Sequence, residues 1–417
     1  MRDRIKIVHA REILCGTGKP TVEVEIMTEQ GIKVEASVPS GTSRGKYEAF
    51  ELYDGGKRFR GYGVLRAVNN VNKIITPKLF EMDVRNQNKI DQMMQEIDGS
   101  TNKSNLGGNA ILAVSLAVAK AGAISTSLPL YRYLGELSAN RLPMPLATVL
   151  AGGKYSPSPL PFEDYILILK GFSSFSDSLE ALTETYHYLS DLVKLRFGSV
   201  PEVGGALAIP SVNTEDAFDL MLQAIEKGGY RNKILLGLDV AASELYNVNG
   251  NYYQIGSKKL KPDELIDYYR ELTQSYPLIY IEDPFEEDSF DYFAKLTQTL
   301  PGIQIVGDDL FASNPLRIQK GIETKAANTL LLKINQIGTV TETLKAAKLA
   351  TSNHQEITVS IRSNDTNDSF IADLAVAVNA LQIKVGSPVR GERNAKYNRL
   401  LKIEKELGSE ARFAGSI

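Results

Sequence analysis

Six short apolar runs in the second half of the chain each end in a residue able to do chemistry. ILLGLD ends at Asp239, LIYIE at Glu282, IQIVGDD at Asp308 and Asp309, TLLLK at Lys333, ITVSIR at Arg362 and LQIK at Lys384. Three carboxylates with no cysteine or histidine among them form a hard, all-oxygen ligand set that suits Mg2+ better than Zn2+. One acid at a strand end can equally cap the next helix or pair with a cation. Three in register, followed by lysines on later runs, point to a metal site facing a base. A buried lysine can have its pKa lowered by desolvation and by nearby cations, which makes it usable as a base. Lys333, inside TLLLKIN, is the better candidate; the alternative is a barrel lysine that merely pairs with an acid. A chemistry that needs such an arrangement is removal of a proton α to a carboxylate, where dense positive charge must stabilise the dianion that develops.

The marked residues lie roughly 20 to 45 positions apart, close to the length of one βα unit. After about residue 143, β-branched apolar runs alternate with amphipathic helical stretches, the signature of parallel βαβ units. The polar ends should therefore meet at one rim of a closed α/β barrel. Ahead of it, Ile5 to Val38 alternates apolar and polar residues (TVEVEI, then IKVEASV) and predicts an antiparallel meander. Helical periodicities follow at Val64 to Leu79, Asn88 to Ile97 and in the alanine-rich stretch Ala110 to Ile124. The expected organisation is an α+β domain over residues 1–135 and a barrel over 143–417, with the Pro-bearing segment Leu142 to Pro145 as linker.

With 417 residues, 43% hydrophobic, 23% charged and a net charge of -3, the chain reads as an ordinary soluble globular protein with no electrostatic support for a nucleic-acid partner. Cys15 is alone, so no internal disulfide forms, and MRDRIKIVHA lacks the apolar core of a signal peptide. Ala110 to Ile124 is interrupted by Ser115 and Lys120 and falls short of the roughly 20 residues a membrane helix needs. A cytoplasmic protein with no membrane partner is expected.

The residues also resemble the enolase family, phosphopyruvate hydratase, over nearly the whole chain. The similarity is carried by VPSGTSRG, NKSNLGGNAILAVSLAVAKA, LDVAASELY, YIEDPFEEDSFDY, VGDDLFASNP, LLLKINQIGTVTETL, SIRSNDTNDSFIADLAVAVNALQIKVGSP and ERNAKYNRLLKIEKEL. It implies an enolase-type (β/α)8 barrel with an N-terminal α+β capping domain, two Mg2+ ions, a homodimer or higher homo-oligomer, and a small phosphorylated or phosphonate carboxylic acid as substrate. By the resemblance, Asp239, Glu282 and Asp308 match the first metal's ligands, and Ser43 the serine that helps bind the second. Lys333 matches the base that takes the C2 proton, Arg362 and Ser363 the phosphate-binding pair, and Lys384 the lysine that holds the substrate carboxylate.

The half that protonates the leaving hydroxide differs from the family pattern. In GGKYSPSPLPFEDY, Tyr155 stands at the family's histidine, Glu163 at a glutamine and Asp164 at a glutamate. EVGGALAIP, from Glu202 to Pro210, takes the place of VGDEGGFAP and leaves no carboxylate where the family has its general acid. Ile361 stands at a second active-site histidine, Arg44 at a threonine, and CGTGK where the family has DSRGN. His9, His187 and His354 fall outside the site motifs and are expected to be structural. Glu163, Asp164 and Tyr155 remain candidate proton donors, since a neighbouring carboxylate can raise a carboxyl pKa. Three functions stay open: conversion of 2-phosphoglycerate to phosphoenolpyruvate, an enolase-like reaction with a changed second half such as the group transfer of carboxyphosphonoenolpyruvate synthase, and a non-catalytic binding role.

Overall fold

The computed structural model describes residues 3–416, so residues 1, 2 and 417, at the outer ends of the two expected domains, lie outside the described residues. Strands β1 (Ile5–Leu14), β2 (Pro20–Thr28) and β3 (Lys33–Ser37) form the predicted antiparallel sheet. Its two faces follow from the alternation. Val22, Val24 and Ile26 are fully buried, whereas Glu23 and Glu25 turn outward to Arg11 and Lys33 at 2.7 and 3.1 Å. The inner face is covered by the alanine-rich helix Gly108–Ser125, which also touches helix Val340–Ser352 of the barrel. Its small side chains allow that close approach on several sides. The helix is long and apolar enough to cross a membrane by length and composition, yet 83% of it is buried inside the protein. The predicted helix at Val64 to Leu79 is continuous but widens into a π turn at Val71–Ile75. Pro77 follows one residue after it, and its ring and missing N–H disturb the turn before it.

Eight strands close the barrel: β4 (Met144–Ala151), β5 (Asp164–Leu169), β6 (Ile234–Asp239), β7 (Leu278–Glu282), β8 (Gln304–Gly307), β9 (Thr329–Leu332), β10 (Glu356–Ser360) and β11 (Gln382–Lys384). The ring is completed where Gln382 of β11 pairs with Met144 of β4. Met144, Leu146, Ile166, Ile168, Tyr280, Val306 and Leu331 fill the interior. Helices cover the outside, so β4 is buried along its whole length. Leu142 to Pro145 is accordingly no loose linker. Leu142 pairs with Phe413, and Met144 and Pro145 already belong to β4. A residue before proline is biased toward extended backbone, so the prolines that suggest a break suit the start of a strand equally well.

β5 departs from the parallel pattern by running antiparallel to both β4 and β6. Residues 152–163 join β4 to β5 without a helix, and a short loop can connect antiparallel neighbours but not parallel ones. The reversal brings the first residue of β5 to the rim where the other strands end. Asp164 therefore lies opposite Asp239.

Beneath the rim, the segment after Glu282 is anchored by aromatic packing. Phe285 is fully buried, with the rings of Tyr253, Tyr269, Tyr292 and Phe293 at 5.9, 6.1, 5.6 and 5.9 Å. Replacing Phe285 with Ala should cost about 3–5 kcal/mol of stability by leaving a cavity in a rigid cluster. Urea unfolding at equilibrium checks this. A loss below about 1 kcal/mol would mean that the cluster repacks freely.

Candidate active site

A cleft of about 420 Å3 opens over the barrel rim and is roofed by the loop between β3 and residue 48. Ser43, Tyr155, Glu163, Asp164, Asp239, Asp308, Lys333, Arg362, Ser363 and Lys384 all line it. Glu282 lies just behind the wall, fully buried. His9, His187 and His354 are exposed and none lines the cleft.

The strand ends bring two lysines among the acids. Lys384, at the end of β11, donates to Asp239 at 2.6 Å and Glu282 at 2.8 Å, and lies 3.2 Å from Asp164. Burial disfavours its charge, but Asp239, Glu282 and Asp164 outweigh burial and hold it well above the usual lysine range. Lys333, just after β9, contacts Asp308, whose other oxygen accepts from Gln336 at 2.8 Å. Burial pushes Lys333 down and Asp308 pulls it up, and the net direction is upward, not toward neutrality as desolvation alone predicts. Glu282 adds to the upward pull, while Arg362 and Lys384 oppose it.

The acids outnumber these cations. Burial, then Asp239, raises Glu282 well above the usual carboxyl range; its Oε2 accepts from Lys384 and from Tyr280 at 2.7 Å, and its buried Oε1 has no partner. Burial raises Asp308 too, but Lys333 prevails and its pKa is lowered. Asp309 is pushed up to about 8 by burial and by Asp308. Asp283, which sequence reasoning passed over despite its place in YIEDPF, adopts a left-handed φ of 42°. It accepts the backbone N–H groups of Asp308 and Asp309 at 2.9 and 2.7 Å. It thereby fixes the turn that presents Asp308. Among the described residues, the acid oxygens that converge within 4.8 Å are those of Asp283, Asp308 and Asp309, and a second set at half-buried Glu286 and Glu287 with exposed Asp288. Asp239 and Glu282 reach the same rim but are drawn to Lys384. An all-oxygen donor set with an unpartnered buried carboxylate oxygen fits a hard divalent cation.

Across the cleft the wall is mixed. Val203, Ala206 and Ile361 contribute apolar surface. Glu163 is pushed up to about 8, first by burial and then by Asp239 and Asp164. Burial also raises Asp164, against the pull of Lys384. Tyr155 is 40% exposed and donates to Glu244 at 3.2 Å, so it stands at the mouth and does not fill interior space.

The pattern of strands, rim residues and loops agrees with comparison to known proteins. Family models described as "Enolase, N-terminal domain" and "Enolase, C-terminal TIM barrel domain" match residues 5–134 and 139–417. The chain belongs to the enolase family. It is 52% identical over 414 residues to a protein named Enolase from Methanothrix thermoacetophila, covering 99% of this chain and 98% of that one. Proteins of the same name from Pyrococcus furiosus and Methanopyrus kandleri are each 50% identical, over 98% of this chain and 96% and 97% of theirs. The closed eight-strand barrel is thus an enolase barrel, and the antiparallel β5 is its irregular member.

Sequence reasoning missed the residues that hold this enolase site together. Glu48 forms a buried ion pair with Arg362, Gln336 bonds Asp308, and Arg393 donates to the carbonyls of Arg362 and Ser363. Glu48 follows the PSGTSRG loop, and Gln336 lies one helical turn after Lys333. Nothing in their spacing marks them without the fold.

Proposed function

We propose that this protein is a Mg2+-dependent enolase-like lyase that removes the C2 proton of 2-phosphoglycerate, or a close analogue, to give phosphoenolpyruvate. The observation that carries the reading is Lys333 at the same rim as Asp239, Glu282 and Asp308, in one cleft with Lys384, Arg362 and Ser363. Asp239, Glu282 and Asp308 would hold one ion, and Ser43 would contribute to a second. Bound Mg2+ supplies positive charge where the substrate carboxylate becomes a dianion. A lysine or histidine base with one or two Mg2+ is the general pattern of the enolase superfamily. Lys333 would take the proton, Lys384 would orient the carboxylate, and Arg362 with Ser363 would bind the phosphate.

Of the acids on the cleft wall, Glu163 is the proposed proton donor for the leaving hydroxide. A donor must be protonated, and a carboxyl raised to about 8 is still largely so at neutral pH. Its protonated fraction falls as pH rises through that value. Product formation should therefore decline on the alkaline side with a midpoint at or below 8, since a cation at Asp239 weakens one cause of the upward shift. Glu163→Gln should suppress product formation while preserving C2 exchange, as read from parallel pH profiles. If the variant keeps both the rate and the alkaline limb, Glu163 is not the acid. The same shift makes the folded state hold more protons than the unfolded chain between about 4.5 and 8. In the metal-free protein, stability should fall as pH rises across that window, and Glu163→Gln should flatten the fall.

Val203, Ala206 and Ile361 on the cleft wall favour a second reading, in which the enolised acid completes a different step, such as the group transfer of carboxyphosphonoenolpyruvate synthase. Proton exchange from 2-phosphoglycerate without phosphoenolpyruvate would support it. Substrate and metal binding with neither exchange nor product would support a non-catalytic binding role.

A further inference from the structure

The Arg362 guanidinium reaches the cleft with most of its donors in use. Its Nη1 donates to Glu48 Oε2 at 2.7 Å and Asn335 Oδ1 at 3.2 Å; its Nη2 donates to Glu48 Oε1 at 3.2 Å and to the Ser43 carbonyl at 2.9 Å. A guanidinium carries five N–H donors, so Nε–H is the one left for a ligand among the described residues. Glu48 is equally constrained. Its Oε1 also accepts from Gly45 N–H at 3.1 Å and from Gln336 Nε2 at 3.5 Å, and Gln336 bonds Asp308. The two charged side chains are only 4% and 5% exposed. Gly41 permits the loop to pass over Arg362, since a Cβ there would lie 2.1 Å from Nη2.

We propose that Glu48 is a positioning residue for the phosphate or phosphonate group of the substrate. It turns Arg362 so that its Nε–H edge meets the anion beside Ser363, whose hydroxyl donates to Thr42 Oγ1 at 2.9 Å and would turn from it to reach the same anion. The inference rests on the phosphorylated-acid reading given above. The opposite role, in which Glu48 competes with the anion for Arg362, conflicts with the geometry. Parting a buried pair leaves two uncompensated charges, and the bonds from Gly45 and Gln336 hold Glu48 in place.

The test is equilibrium binding of 2-phosphoglycerate with Mg2+, and of inorganic phosphate, to the full chain. It compares the wild type, Glu48→Gln, Arg362→Gln and the double variant, each checked for folding by thermal melting. Glu48→Gln should weaken binding of both ligands about tenfold or more. In the Arg362→Gln background the same change should have almost no effect, because Glu48 acts through Arg362. A residue that merely supports the fold would weaken binding by the same factor in both backgrounds. Glu48→Asp, which keeps the charge but retracts it by one methylene, should fall in between, and it replaces Glu48→Gln in the cycle if that variant fails to fold. Unchanged or tighter binding by Glu48→Gln, or equal losses in the two backgrounds, would overturn the proposal. Wild-type protein that binds phosphate but not 2-phosphoglycerate would overturn the substrate reading and still decide the role of Glu48 on phosphate. Binding of neither would overturn both.

Discussion

Lys333→Ala should reduce exchange of the substrate C2 proton by roughly 10^2- to 10^4-fold, the range a positioned acid or base contributes. The site offers this proton few other acceptors. Lys384 is held between Asp239 and Glu282 and kept strongly protonated, and Arg362 is committed to Glu48 and the Ser43 carbonyl. Lys333 pairs with Asp308, a carboxylate that is itself expected to ligate metal. The backbone around it is fixed independently of its side chain, since Lys333 N–H donates to Ser313 Oγ at 2.9 Å and Ser313 Oγ donates to Gln336 at 2.7 Å. The variant should therefore fold and bind metal. Exchange followed by NMR in heavy water is the measurement. Exchange within about threefold of wild type would remove Lys333 from the role of base and leave it as an ion-pair lysine.

Glu282→Gln should produce the second large effect, with opposite signs in two measurements. In the metal-free protein, Asp164, Asp239 and Glu282 crowd around Lys384, and burial with Asp239 already disfavours the charged form of Glu282. Removing one acidic group should leave stability unchanged or raised. Mg2+ affinity, by contrast, should fall by at least about 10- to 100-fold, because even residues that only support a ligand contribute that much. Calorimetric titration with Mg2+ and thermal melts with and without the ion test both halves. At the same Mg2+ concentration the wild type should gain more stability by mass action than the variant. Equal Mg2+ affinity in the two proteins would remove Glu282 from the ligand set.

Much of this site is legible in the sequence, for a physical reason. In a parallel barrel every strand delivers its last residues to one rim, so the polar ends of ILLGLD, LIYIE, TLLLK and LQIK announce their meeting place before any fold is known. The sheet of the first part is legible because its two faces have different surroundings, and TVEVEI records that alternation. Asp164 obeys the reverse rule, since β5 runs against its neighbours and its first residue, not its last, reaches the rim. Only the resemblance to enolase marks it. Direction along a strand leaves no trace in apolar periodicity. Glu48 and Gln336 are invisible for another reason, because their roles depend on which loop closes over which strand end. The upward shift of Lys333 likewise depends on its contact with Asp308, which no spacing encodes.

The central claim is that this rim performs metal-assisted removal of the C2 proton. The most direct measurement is NMR of 2-phosphoglycerate in heavy water with Mg2+ and wild-type protein, following the C2 proton and phosphoenolpyruvate together. The site predicts exchange of the C2 proton that requires Mg2+, with product appearing where Glu163 can donate its proton. No exchange and no product, from protein shown to have bound both Mg2+ and 2-phosphoglycerate, would contradict it.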